Sequence, residues 1–190
     1  MYPAILNRVE ELGFVVFTDG DYNLNIIGER FKSAPNTFND ILHVVYKVDG
    51  LWQHHQFVCT TEPGAYWLQT PMRVDGTAIL QSPQQMRGAF ELGLHKGTYK
   101  CLRQRKIVKV WRDSSKDDVI DYGALTDSEA WAIQIHRASK QRTSTRVNRW
   151  SAGCTVVANP ESYDIFIETC ELQRQHRGWS SFTYTMIDGD

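Results

Sequence analysis

Cys154 follows His136 by 18 positions and stands at the end of Ser151-Ala152-Gly153-Cys154, with the apolar run Thr155-Val156-Val157 behind it. A thiol is only a few per cent ionised at neutral pH, so it becomes a useful nucleophile when a base or a cation stands beside it. His136 can supply that base if the two side chains lie at the ends of neighbouring strands. Gly153 lets the chain turn so that backbone N–H groups near Cys154 face a carbonyl oxygen and stabilise the oxyanion. The plainer alternative is a small buried thiol and a hydrogen-bonded histidine at a strand end.

The stretch between the two residues carries Arg137, Lys140, Arg142, Arg146 and Arg149 with no acid among them. A cationic rim of this kind suits a substrate with free carboxylates, and arginine can hold each in a bidentate pair. His95, between Gly93 and Gly97, is a candidate substrate contact or second base, or simply a turn histidine. Lys100, Arg103, Arg105, Lys106, Lys109 and Arg112 form a second basic stretch, which raises nucleic acid as a partner. With 21 basic against 22 acidic residues the net charge is −1, and that balance argues against it. Cys59, Cys101, Cys154 and Cys170 show no Cys-x-x-Cys spacing, which speaks for reduced thiols and against a structural zinc site. The run from Asp113 to Asp118 lacks the glycine and distal glutamate of a calcium loop and reads as a solvated turn. No metal or organic cofactor is called for.

The elements that must hold these residues are mostly strands. Ile5, Leu6, Val9 and Leu12 recur at helical spacing until Gly13 ends them. Strand patterns follow at 14–17, 24–27, 41–46, 56–59, 107–111, 132–136 and 182–187, and Asp49-Gly50 marks a tight hairpin. Met86, Ala89, Phe90 and Gly93 suggest a helical turn or two within 83–94, and the acid-rich run 113–129 reads as a solvated loop. Asn159-Pro160 signals a helix start, with Tyr163, Phe166, Ile167 and Cys170 on one face. These patterns predict one β-rich α+β domain over residues 1–190, with a short N-terminal helix and a helix after the Cys turn. No apolar run approaches the roughly 20 residues needed to cross a bilayer. The N-terminus lacks the basic start and apolar stretch of a secretion signal, so the chain is expected to be cytoplasmic as synthesised.

His136, a loop, and then Ser151-Ala152-Gly153-Cys154 resemble the signature of the L,D-transpeptidase (YkuD-type) catalytic domain, usually His, some fifteen residues, then Ser/Thr-His-Gly-Cys. Thr60-Thr61-Glu62-Pro63-Gly64-Ala65-Tyr66 is similar to that family's Thr-Pro-x-Gly-x-Tyr/Phe segment, and the likeness covers roughly residues 40–158. Three positions depart from it. Ala152 replaces the second histidine, Val156 stands where an Arg or Asn commonly follows the cysteine, and Pro63 comes one place late. The resemblance implies a mixed-sheet core and a Cys154 thioester formed with a peptidoglycan stem peptide, resolved by an amine or by water. It makes Cys154 the nucleophile, His136 the general base and then acid, the backbone around Gly153 and Cys154 the oxyanion hole, and Ser151 a hydrogen-bonding residue of the turn. With no accompanying wall-binding module, it implies a lysin-like, phage-borne hydrolase that meets the wall after release or delivery. A virion or wall-binding module of the same fold without chemistry is the alternative, and a nucleic-acid protein the third. Oligomeric state is not legible.

Overall fold

A computed structural model describes residues 1–32 and 35–189 of the chain. It is mostly β, with 39% of residues in strands and 17% in helices, which makes it an α+β fold. The elements in order are α1 (Ala4–Glu11), β1 (Asn25–Arg30), β2 (Asp40–Val48), β3 (Leu51–Thr60), α2 (Ala65–Gln69), β4 (Thr77–Leu80) and β5 (Gln84–His95). There follow β6 (Tyr99–Gln104), β7 (Lys109–Asp113), β8 (Leu125–Asp127), β9 (Gln134–Arg137), β10 (Thr155–Val157), α3 (Pro160–Arg177) and β11 (Ser181–Asp188). Eight strands close into a barrel in the order β1-β11-β5-β6-β9-β10-β3-β2, and β4-β7-β8 form a small second sheet. The barrel is mixed, because β1 with β11 and β9 with β10 run parallel while the other pairs are antiparallel.

Strand alternation divides the apolar residues between two clusters. Ile26, Val44, Leu42, Ile135, Val157 and Tyr184 face one core, which α3 completes with Tyr163, Phe166 and Cys170. Ile27, Val45 and Ile187 face the other way and are covered by Ile5, Leu6 and Val9 of α1. The α3 ends follow their local chemistry. Asn159 accepts from the Ser162 N–H at 2.8 Å, Pro160 occupies the first turn, and Gly178 closes the helix with φ +68°. In the β2–β3 hairpin Asp49 and Gly50 both take positive φ, as a two-residue turn requires.

One buried arginine ties the barrel to the small sheet. Arg30 on β1 is fully enclosed and donates to Thr61 Oγ1 at 2.9 Å, to the Thr61 carbonyl at 3.0 Å and to the Leu80 carbonyl of β4 at 2.9 Å. The Asp40 carboxylate completes the network by accepting from Thr61 N–H at 2.7 Å and its hydroxyl at 2.8 Å. Satisfied in this way, the charges fix where β4 lies, and β4 forms one wall of the cavity that holds Cys154.

Three local expectations are corrected. Residues 84–95 form a strand, not a helical turn, because they pair with β11 on one side and β6 on the other. The register slips between Phe182 and Tyr184, and Gly88 sits opposite with φ +54°, the conformation of a bulge. Residues 14–17 are not a strand. The amide side chain of Gln85 bonds both the N–H and the C=O of Val15, and that of Asn25 does the same for Phe17, so side chains take the places of a ladder partner. The acidic run 113–129 is not wholly solvated loop: it includes β8, and Asp113 is fully buried, bonding Ser115 and the Asp121 N–H.

Candidate active site

The site lies where the two shortest barrel strands run side by side. The parallel register of β9 and β10 sets Thr155 beside Ile135 and Val156 beside His136, so Cys154 falls next to Gln134. Alternation then sends Ile135 and Val157 into the barrel core and turns Gln134, His136 and Cys154 to the other face. His136 and Cys154 both line a cavity of about 560 Å³, together with His95, Lys96, Ala132, Gln134, Arg149 and Trp150. A second hollow, also about 560 Å³, shares His95, Lys96, His136, Arg149 and Trp150 with the first.

The turn before Cys154 needs glycine twice over. Gly153 has φ +117°, and a Cβ there would stand 2.4 Å from the Ala78 carbonyl oxygen of β4. Ser151 is fully buried; its Oγ donates to the Cys154 carbonyl at 2.7 Å and accepts from the Gly153 N–H at 3.2 Å. The Gly153 N–H is therefore spent inside the turn, which corrects the expectation that it faces an oxyanion. Residues 60–66 pack behind this turn. The Gly64 N–H donates to the Ser151 carbonyl at 2.9 Å, and a side chain at Gly64 would run into Asn148. Trp67 Nε1 donates to the Arg149 carbonyl at 3.0 Å, and Tyr66 carries the Arg149 guanidinium 3.9 Å above its ring.

His136 is buried, and its Nδ1 donates to the Arg137 carbonyl at 2.9 Å, with the Tyr99 hydroxyl 3.5 Å away. That bond leaves Nε2 as the basic nitrogen. Burial, reinforced by the nearby His95, pushes the imidazole down to about 3. Burial likewise pushes the Cys154 thiol up to about 11, against the opposing pull of the Gln134 backbone N–H and Lys96. The resting pair is a neutral thiol and a neutral imidazole, and Sγ donates to the Ala132 carbonyl at 3.8 Å, not to His136. The other three cysteines are free and buried, while Cys154 is half-buried.

Four cations border the first cavity, but two are neutralised nearby. Arg73 pairs with Asp75 at 2.7 Å and with Glu129, and Arg112 lies 3.7 Å from Asp75. Lys96 and Arg149 have no carboxylate partner among the described residues. The chain matches no protein-family model, no curated protein and no solved structure.

Of the expected substrate contacts, Arg149 and His95 line the cavity that holds Cys154, and Arg137 lines the adjoining hollow with its guanidinium 3.9 Å over Tyr99. Arg142 and Arg146 line neither. The middle of their loop is carried away by backbone bonds from Ser144 to Ala158 and from Val147 to Asn36, and Arg146 bridges Thr37. Of these two hollows, Lys140 borders the second. Lys96, Gln134 and Tyr99 were not expected at the site. For Gln134 a signal existed, since it shares the polar face of its strand with His136; nothing in the local sequence singles out Lys96 or Tyr99. Val156 is fully buried and unable to hold a carboxylate. Among the described residues no group of three His, Cys, Asp or Glu side chains is placed to hold a metal, and no helix is long and apolar enough to cross a membrane.

Proposed function

We propose that this chain is a cysteine acyl-transfer enzyme of the L,D-transpeptidase kind, acting on peptidoglycan stem peptides and passing the acyl group chiefly to water. The observation that carries the reading is the meeting of Cys154 and His136, from the same face of the neighbouring strands β9 and β10, in one cavity, with the His136 tautomer fixed by a backbone carbonyl. In the reaction the thiol turns from the Ala132 carbonyl, His136 Nε2 takes its proton, and sulfur attacks the substrate carbonyl. The same imidazole then protonates the leaving amine, and a thioester remains on Cys154. With the Gly153 N–H engaged by Ser151, the Cys154 N–H is the turn's donor for the oxyanion. Lys96 and Arg149 attract a carboxylate-bearing substrate in place of a residue after the cysteine. The β9–β10 part of the barrel is the counterpart of the mixed sheet in the family resembled, and the enzyme meets the wall after release or delivery.

One observation favours the rival, a wall-binding or virion module without chemistry: the resting thiol bonds Ala132 and not His136. Digestion of purified peptidoglycan separates the two. Cys154→Ala and His136→Gln should each abolish release of stem-peptide products while shifting the thermal transition by no more than a few degrees. Release at the wild-type rate by Cys154→Ala would refute the nucleophile, and by His136→Gln the base.

A further inference from the structure

Beside His136 stands a second imidazole that the acylation step does not use. His95, at the end of β5, stacks on His136 with ring centroids 4.3 Å apart and planes 27° from parallel. Its Nδ1 donates to Gln134 Oε1 at 2.6 Å, an oxygen that the Cys101 thiol also approaches at 3.7 Å. With Nδ1 carrying the proton, Nε2 presents a lone pair, and it has no protein hydrogen-bond partner among the described residues. The β5–β6 turn holds the ring in place, since Lys96 and Gly97 both take positive φ and His95 pairs with Tyr99 across it.

Its position differs from that of His136 in one respect that bears on mechanism. Both rings line the two hollows, but His136 is buried whereas His95 is half-buried. Cys154 borders only the first of them. An acyl group on Cys154 enters the first cavity, and the half-buried His95 is still reached through the second. The imidazole is flanked by Lys96, Arg137, His136 and Tyr99, and among the described residues no carboxylate lies against it. Desolvation and those cations favour its neutral, proton-accepting form.

We propose that His95 is a catalytic base for the second half of the reaction, activating the water or amine that resolves the Cys154 thioester. As the acceptor oxygen or nitrogen attacks the thioester carbonyl, His95 Nε2 takes its proton. The tetrahedral species collapses, the C–S bond breaks, and sulfur leaves as thiolate. His95 then gives its proton up to solvent as the thiolate takes one back, so the free acid or amide and the neutral thiol are restored. Gln134 is a positioning residue that fixes the His95 tautomer. This division of labour rests on the acyl-transfer reading of Cys154 and His136.

The test uses p-nitrophenyl acetate, which needs no wall substrate, with stopped-flow release of p-nitrophenolate and intact-mass measurement of the acetylated protein. Wild type should show a burst followed by turnover. His95→Gln should keep the burst, accumulate acetyl-Cys154 and slow the following phase by about 10²-fold, the lower range for a lost general base. Gln134→Leu should slow the same phase less. Added imidazole should partly restore His95→Gln, and the acid-side fall in the wild-type second phase, centred below pH 6.5, should vanish in it. Deacylation of His95→Gln at the wild-type rate, or equal losses in both phases, would overturn the inference and leave the acyl-transfer reading intact. Absence of any Cys154 acylation in the wild type would overturn both.

Discussion

Cys154 is the half-buried one of four free thiols, and the environments of the others are less permissive. Burial pushes Cys101 up to about 12 and raises Cys59 and Cys170 well above the ordinary thiol value. Cys154, at about 11, is still protonated at neutral pH. Mass-mapped alkylation with iodoacetamide should therefore label Cys154 first, slowly at pH 7, with a rate that climbs about tenfold per pH unit towards pH 11. Labelling of Cys59, Cys101 or Cys170 at an equal or greater rate would remove the chemical distinction on which the site depends. At this scale the sequence spoke clearly: thiol, imidazole and the glycine before the thiol are all readable as types and spacing. It could not tell which of the loop cations return to the site. That depends on where the loop is pinned, and the pins are backbone bonds to Asn36 and Ala158.

The Cys turn is held between two elements remote in sequence, β4 in front and residues 60–66 behind, and glycine is what lets both approach. Gly153→Ala must relieve a positive φ and a 2.4 Å contact with the Ala78 carbonyl together. Strained backbone of this kind costs about 1–3 kcal/mol, and a protein of this size loses roughly 2–4 °C of Tm per kcal/mol. Calorimetry should show a fall of about 5 °C or more, and an unchanged Tm would mean that the turn is not held in this way. Elements were legible where local signals and tertiary pairing agree, as in the Asp49-Gly50 hairpin and the capped α3. They were not where long-range contacts decide. Residues 84–95 carry a weak helical spacing that two flanking strands override, and residues 14–17 have a strand's composition but find side-chain amides as partners. Barrel closure through the parallel β1–β11 pair joins the two ends of the chain and leaves no local trace.

Over the whole molecule, four histidines, His43, His54, His95 and His136, are held below their ordinary value, with burial the largest cause in each. A depressed histidine binds its proton more readily when the chain is unfolded. Stability is thus fully present above about pH 6.5 and is lost as the pH falls through that value towards the folded one. Asp40 and Glu62, raised by burial, act in the opposite sense at lower pH, so the difference between variants is more informative than the whole curve. His136, lowered to about 3, carries the largest single share, on the order of a few kcal/mol between pH 6.5 and 3. Urea unfolding from about pH 7 to 4 should show stability falling with acid, and His136→Gln should fall less steeply by about one proton. Equal slopes would place His136 in water. The proposed reaction is covalent, and the most direct measurement of it is intact and peptide mass after brief incubation with a peptidoglycan stem peptide and acid quench. A hydroxylamine-labile acyl adduct should form on Cys154 and be absent from Cys154→Ala. Turnover of that peptide with no adduct on Cys154, or undiminished turnover by Cys154→Ala, would contradict it.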